Sequence, residues 1–247
     1  MRKSQSELLA YLFDAHHSAF SAQVTHWIVN SPRFASFATE FKDKIRKKIR
    51  VTRGSTAETD LLYELQIANW LLQEKRFELA YEPFASGKTR GPDFSVTLRS
   101  NFTFNIEVTH VRKLTTSQVG ETLLDLRLID VICGKLRQMT PNRANLVFIV
   151  SSASLFSSLD LPAHVAWIKD MAERKDDQFY ARHRFANPSE FFKFFKRLSG
   201  VALYAPNNTQ LLSLWLNPQA KIALADPVRN ILQRGPVLKA LRKTVLN

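Results

Sequence analysis

Apolar residues recur at three- and four-residue spacing over 5–20 and again over 34–50, and both stretches predict helices. In the second, Phe37, Phe41, Ile45 and Ile49 make one stripe, as expected of a core contact. After the break at Arg53-Gly54-Ser55-Thr56, either Ser55 or Thr56 can cap a further helix with Glu58 in its first turn. That helix runs to about Lys75 on Leu61, Leu62, Leu65, Ile67, Leu71 and Leu72. Phe77 to Tyr81 predicts a strand and Ala85 to Gly91 a loop. The period then changes to two. Phe94, Val96 and Leu98 alternate with Asp93, Ser95 and Thr97, and Phe102, Phe104, Ile106 and Val108 alternate with Thr103, Asn105, Glu107 and Thr109. Each run predicts a strand with one buried face.

Pairing these runs as a hairpin about Ser100 sets Leu98 opposite Phe102, Val96 opposite Phe104 and Phe94 opposite Ile106. The polar positions match in the same register, whereas a slip of one residue would oppose apolar to polar throughout. Asp93 then lies beside Glu107, with Cβ atoms about 5 Å apart. Two carboxylates so placed repel, and a divalent cation between them removes the penalty; magnesium and manganese take oxygen ligands of this kind. Two other readings fit the same residues: Asp93 as a turn residue after Gly91-Pro92, and Glu107 on a solvated sheet face.

Beyond the hairpin the pattern predicts a helix over 117–139 ended by Pro141, a short apolar strand over 146–150, and helices over 160–175 and 188–198, the second capped near Ser189. Strands follow over 201–204 and 211–216, with a last helix near Pro227. Helix, three strands, helix, strand indicates an α/β core. The expected organisation is a basic helical extension over 1–54, a core over 55–155, and a basic α/β extension over 156–247 packed on that core.

Charge supports this division. The formal charge is +13. Residues 1–54 hold ten basic and four acidic side chains, 55–155 eleven of each, and 156–247 fourteen and seven. Basic flanks around a neutral middle attract polyanions, nucleic acid foremost. The densest run is Lys42, Lys44, Arg46, Lys47, Lys48, Arg50 and Arg53; Lys88, Arg90, Arg112 and Lys113, near the hairpin, complete the candidate nucleic-acid contacts. A single cysteine, Cys133, excludes an internal disulfide and a Cys-rich zinc site. No apolar stretch approaches a membrane span, and Asp14, His16 and His17 interrupt what begins like a signal peptide. A cytoplasmic protein without a membrane partner is expected. Gly87-Lys88-Thr89 lacks the earlier glycine of a phosphate-binding loop, and the adjacent His16-His17 pair does not share a helix face.

Pro92-Asp93, thirteen further residues and Glu107-Val108-Thr109 together resemble the signature of the PD-(D/E)XK nuclease superfamily. Glu64, on the helix before the hairpin, is similar to the acid many members carry there. The resemblance covers about residues 56–152. It implies a restriction-endonuclease-like mixed sheet flanked by helices, and a Mg²⁺- or Mn²⁺-dependent endonuclease acting on nucleic acid, with DNA the expected substrate. It further implies Asp93, Glu107 and the Val108 carbonyl as metal ligands, with Glu64 acting through water or a second ion. The usual lysine two residues after the glutamate is Thr109 here, which cannot carry its charge. Lys135 and Gln138 on the following helix are the nearest candidates to replace it, with Lys88 and Lys113 behind them. Loss of that lysine also leaves open a catalytically impaired nucleic-acid-binding protein of the same fold. Duplex cleavage would favour a homodimer, since one site cuts one strand. A third class is an interaction domain whose charge is incidental.

Overall fold

The computed structural model describes residues 3–14, 18–84, 91–99, 101–112, 121–156, 159–206 and 211–235. Lys88, Arg90, Lys113, the Gly87-Lys88-Thr89 segment, His16-His17, Ser100 at the hairpin tip and the start of the helix expected from 117 lie outside them.

Among the described residues, five helices precede the sheet: α1 (Lys3–Phe13), α2 (Ala19–Asn30), α3 (Pro32–Glu40), α4 (Lys42–Thr52) and α5 (Thr56–Leu71). The stretch expected as one helix over 5–20 divides into α1 and the start of α2, because Asp14 takes a left-handed φ of 50° and Ser18 begins α2 with a capping box on Ser21. The stretch 34–50 likewise divides at Phe41. Its stripe still reaches the core: Phe37, Ile45 and Ile49 are buried and Phe41 packs against them. Ser55, rather than Thr56, caps α5 through the Ala57 N–H. Arg33 anchors α3 to the turn after α5 by donating to the carbonyls of Leu72, Glu74 and Phe77.

The sheet contains β1 (Phe77–Tyr81), β2 (Phe94–Leu98), β3 (Phe102–His110), β4 (Ala144–Val150), β5 (Gly200–Tyr204) and β6 (Leu211–Leu216), in that spatial order. β1, β2 and β3 are antiparallel, β3, β4 and β5 parallel, and β6 antiparallel to β5. The architecture is α/β, a six-strand mixed sheet flanked by helices. The β2–β3 register is Leu98 on Phe102, Val96 on Phe104 and Phe94 on Ile106, as the polar–apolar matching requires. The segment from 156 onward supplies β5 and β6 to this same sheet.

Between the parallel strands run α6 (Glu121–Leu136), after β3, and then α7 (Ala153–Phe156), α8 (Leu161–Glu173), α9 (Asp177–His183) and α10 (Pro188–Phe195), after β4. Crossovers of one hand, advancing in one direction across the sheet, fall on one face. There α6, α8, α9 and α10 bury Val147, Ile149, Val201 and Leu203. α1 to α5 and α11 (Asp226–Arg234) cover the opposite face, burying Phe94, Val96, Phe104, Ile106 and Phe148. α10 is capped by Asn187, two residues before Ser189, with Pro188 in its first turn, and α9, capped by Asp176, is an addition to the sequence reading.

One expectation is corrected. β2 and β3 do not carry one buried and one solvated face: Asp93, Ser95, Asn105 and Glu107 are all buried. Parallel pairing of β3 with β4 requires a crossover helix over that face, and covering by α6 makes it interior. Polar side chains there must find partners. Ser95 donates to Asn105 at 2.6 Å; Asn105 donates to Thr140 and Asn145; Arg143 donates to Ser95 at 3.0 Å.

Candidate metal and nucleic-acid site

Asp93 ends the loop before β2, at the end of the sheet where α5 approaches from one face and α6 from the other. Its carboxylate turns back along the sheet edge and accepts the Val108 N–H at 2.8 Å. An extended residue presents its N–H and C=O to the same edge, so the Val108 carbonyl also points toward Asp93 rather than into the β3–β4 ladder. Glu107, only 2% exposed, lies on the α6 face. Burial first, and then the Glu107 charge, raise the Asp93 carboxyl to about 6. The Val108 hydrogen bond and the charges of Lys48 and Lys135 oppose that rise.

α6 brings Lys135 onto this pair. Its ammonium sits 2.6 Å from Glu107 Oε1, while Glu107 Oε2 is buried without a hydrogen-bond partner. Thr109 is on the same β3 face as Glu107. Gln138 does not lie on the helix as expected. α6 ends at Leu136, its last turn closed by short bonds from the Gln138 and Met139 N–H groups to Lys135 and Leu136, and the Gln138 side-chain oxygen is buried without a partner.

Glu64 comes from α5 and is held by Lys48 of α4 at 2.7 Å, with Glu82 on the same ammonium at 2.7 Å. Burial, then the Asp93 charge, push Glu64 up to about 7 against the pull of Lys48. The neighbouring Tyr81 phenol is raised well above its ordinary value by burial and then by Glu64. Burial alone would lower Lys48, but Glu64, Glu82 and Asp93 outweigh it and leave the ammonium raised.

Among the described residues no group of three or more His, Cys, Asp or Glu side chains is placed to hold a metal ion. Glu64, engaged by Lys48, therefore stands apart from a direct three-acid set. The oxygen donors that fit a hard divalent cation are Asp93, the unpartnered Glu107 Oε2 and the Val108 carbonyl, with water completing the shell. The orphaned oxygen and the mutual repulsion of the two acids are both relieved by such an ion.

The basic run of α4 is divided by the packing. Lys44 donates to the Tyr81 and Glu82 carbonyls, Arg46 to Tyr11 and Asp14, and Lys48 to the acids above. Lys42, Lys47 and Arg50 are exposed, Arg50 with a 3.2 Å contact to Asp14. Arg112 pairs with Asp60, which also holds His110, on the α5 side of the sheet.

The sequence reading missed the Lys48 lock on Glu64 and the polar network under α6. Asn105 and Asn145 offered the one readable signal. Asparagine is a poor strand residue, and the two are register partners across β3 and β4. No family model matches this chain, and neither a curated protein nor a solved structure matches it. No helix among the described residues is long and apolar enough to cross a membrane.

Proposed function

We propose that this chain is a metal-dependent nuclease of the PD-(D/E)XK type, built on a restriction-endonuclease-like core and hydrolysing phosphodiester bonds of nucleic acid, with DNA the favoured substrate. The supporting observation is the convergence of Asp93, Glu107 and Lys135: a buried carboxylate from the loop before β2, a second from β3 and one ammonium from α6. In this reading Asp93, Glu107 and the Val108 carbonyl hold Mg²⁺ or Mn²⁺. The ion, when bound, lowers the pKa of a water and neutralises charge on the phosphate. Lys135 supplies the cation that Thr109 lacks: it binds Glu107 with one proton and offers its others to the attacking water or the phosphate oxygen. The Val108 N–H fixes the Asp93 carboxylate, and Lys48 holds Glu64 beside the site. Exposed Lys42, Lys47 and Arg50 contact the phosphate backbone.

A second reading, nucleic-acid binding without cleavage, draws on the same ion pair. Lys135 at 2.6 Å already offsets part of the Glu107 charge without a metal. Manganese titration by calorimetry and a cleavage assay in Mg²⁺ and Mn²⁺ separate the two. Metal-dependent cleavage lost in Asp93→Asn and Glu107→Gln supports the enzyme. Nucleic-acid binding with no cleavage in either metal supports the second reading.

A further inference from the structure

One residue pair inward from the two carboxylates lies a cation with no acidic partner among the described residues. The β2–β3 register begins with Phe94 on Ile106, and the next pair, Ser95 and Asn105, lies on the α6 face about 7 Å along the strands from positions 93 and 107. Arg143, just before β4, reaches this pair and donates to Ser95 Oγ at 3.0 Å. It forms no ion pair among the described residues, unlike Arg46, Arg76, Arg112 or Arg182. A guanidinium has five N–H donors, and one hydrogen bond to Ser95 leaves the others available.

The guanidinium carbon also stands 5.9 Å from the centre of the Phe84 ring. Phe84 is 41% exposed, one of few large apolar side chains to be so among the described residues. Its place is set by Gly91: a Cβ there would come 2.7 Å from the Phe84 Cβ, so only glycine lets the ring lie against the backbone two residues before Asp93. The contacts to Ser95 and Gly91 thus place a positioned cation and an open aromatic ring together beside the carboxylates.

An exposed ring next to a guanidinium with donors to spare matches the two parts of a nucleotide, a base to stack and a phosphate to bind. We propose that Arg143 and Phe84 form a nucleotide subsite, with Arg143 on a phosphate adjacent to the scissile one and Phe84 stacked on an unpaired base. The inference rests on the nuclease reading for the placement of the scissile phosphate. It adds that the chain engages single-stranded or locally opened nucleic acid, because a base stacked between its neighbours within a duplex has no free face for the ring.

The test is fluorescence anisotropy with a short single-stranded oligodeoxynucleotide in Ca²⁺, at several salt concentrations. Arg143→Gln and Phe84→Ala are each expected to weaken binding about tenfold. Arg143→Gln also lowers the log–log salt slope by about one contact, whereas Phe84→Ala leaves it unchanged. Phe84→Trp should retain affinity and gain a tryptophan emission quenched by the oligonucleotide, a signal that a merely structural ring would not give. Unchanged affinity in Phe84→Ala, or absence of quenching in Phe84→Trp, overturns the subsite. So does failure of the wild type to bind the strand. If Arg143→Gln does not fold, the two Phe84 variants decide. Cleavage by the wild type, with unchanged affinity in Phe84→Ala and no quenching in Phe84→Trp, defeats the subsite and keeps the nuclease. Binding through Arg143 and Phe84 with no cleavage in either metal keeps the subsite and defeats the nuclease.

Discussion

Glu107 sits with one oxygen on Lys135 and the other bare, and Asp93 beside it holds its proton up to about pH 6. An acid whose folded pKa lies above its unfolded one is bound to its proton more tightly in the native state. Native stability is then fully supported below the ordinary carboxylate range and declines as pH rises to the folded value. For Asp93 that window is about pH 4 to 6, and Glu64 extends it to about 7. Without metal, the protein should therefore melt lower at pH 7.5 than at pH 5. Mn²⁺ should raise the melting temperature more at pH 7.5 than at pH 5, because protons compete for its ligands. Asp93→Asn should remove most of the Mn²⁺ shift; equal shifts at both pH values would count against metal binding at Asp93. Lys135 invites a kinetic prediction. Lys135→Ala should slow cleavage roughly 10²-fold or more, the scale of one positioned group, with Ca²⁺-supported binding nearly unchanged. Thr109→Lys, on the Glu107 face, should keep or raise the rate and rescue Lys135→Ala in the double variant.

At the scale of elements, α6 and the start of β4 carry the site. Asn145 ties them together: its amide donates to the carbonyls of Thr140, Arg143 and Arg197, and its oxygen accepts from Asn105 and Thr140. Its own N–H bonds to Ser199. Asn145→Ala would leave several of these buried groups unpaired, a loss of roughly 3 kcal/mol. In urea denaturation the midpoint should fall with the slope unchanged. Because the network sets where α6 ends and where Arg143 emerges, cleavage should fall further than the unfolded fraction accounts for. The periodicity of α6 and the alternation of β2 and β3 made these elements visible, but not the polar core between them. A strand face that reads as polar is solvated when left bare and interior when a helix lies over it, and only the parallel β3–β4 connection decides which.

For the whole molecule, the basic side chains that make up the +13 charge divide between those held within the fold and those left outside. Lys44 and Lys48 satisfy carbonyls and carboxylates within the fold, so Ala at either is expected to lower the melting temperature. Lys42, Lys47 and Arg50 face outward. Replacing these three with Gln should leave the melting temperature nearly unchanged and reduce the salt slope of nucleic-acid binding by about two, at somewhat under one per lost contact. An unchanged slope would assign binding to other cations.

Local chain statistics were enough for the helices of the core, the strands and the hairpin register from Phe94–Ile106 to Leu98–Phe102. Each depends on residues close in sequence and on a period that tolerates no slip. Lys135 could be singled out by its helix phase, but its 2.6 Å approach to Glu107 depends on how α6 lies on the sheet. The Lys48–Glu64 lock spans 16 residues and the Arg143–Ser95 contact 48, the first between two helices and the second between β4's approach and β2. Such contacts follow from the packing of separate elements on one sheet. No periodicity records them, because the residues involved obey only the rule that a buried charge or amide must meet a partner.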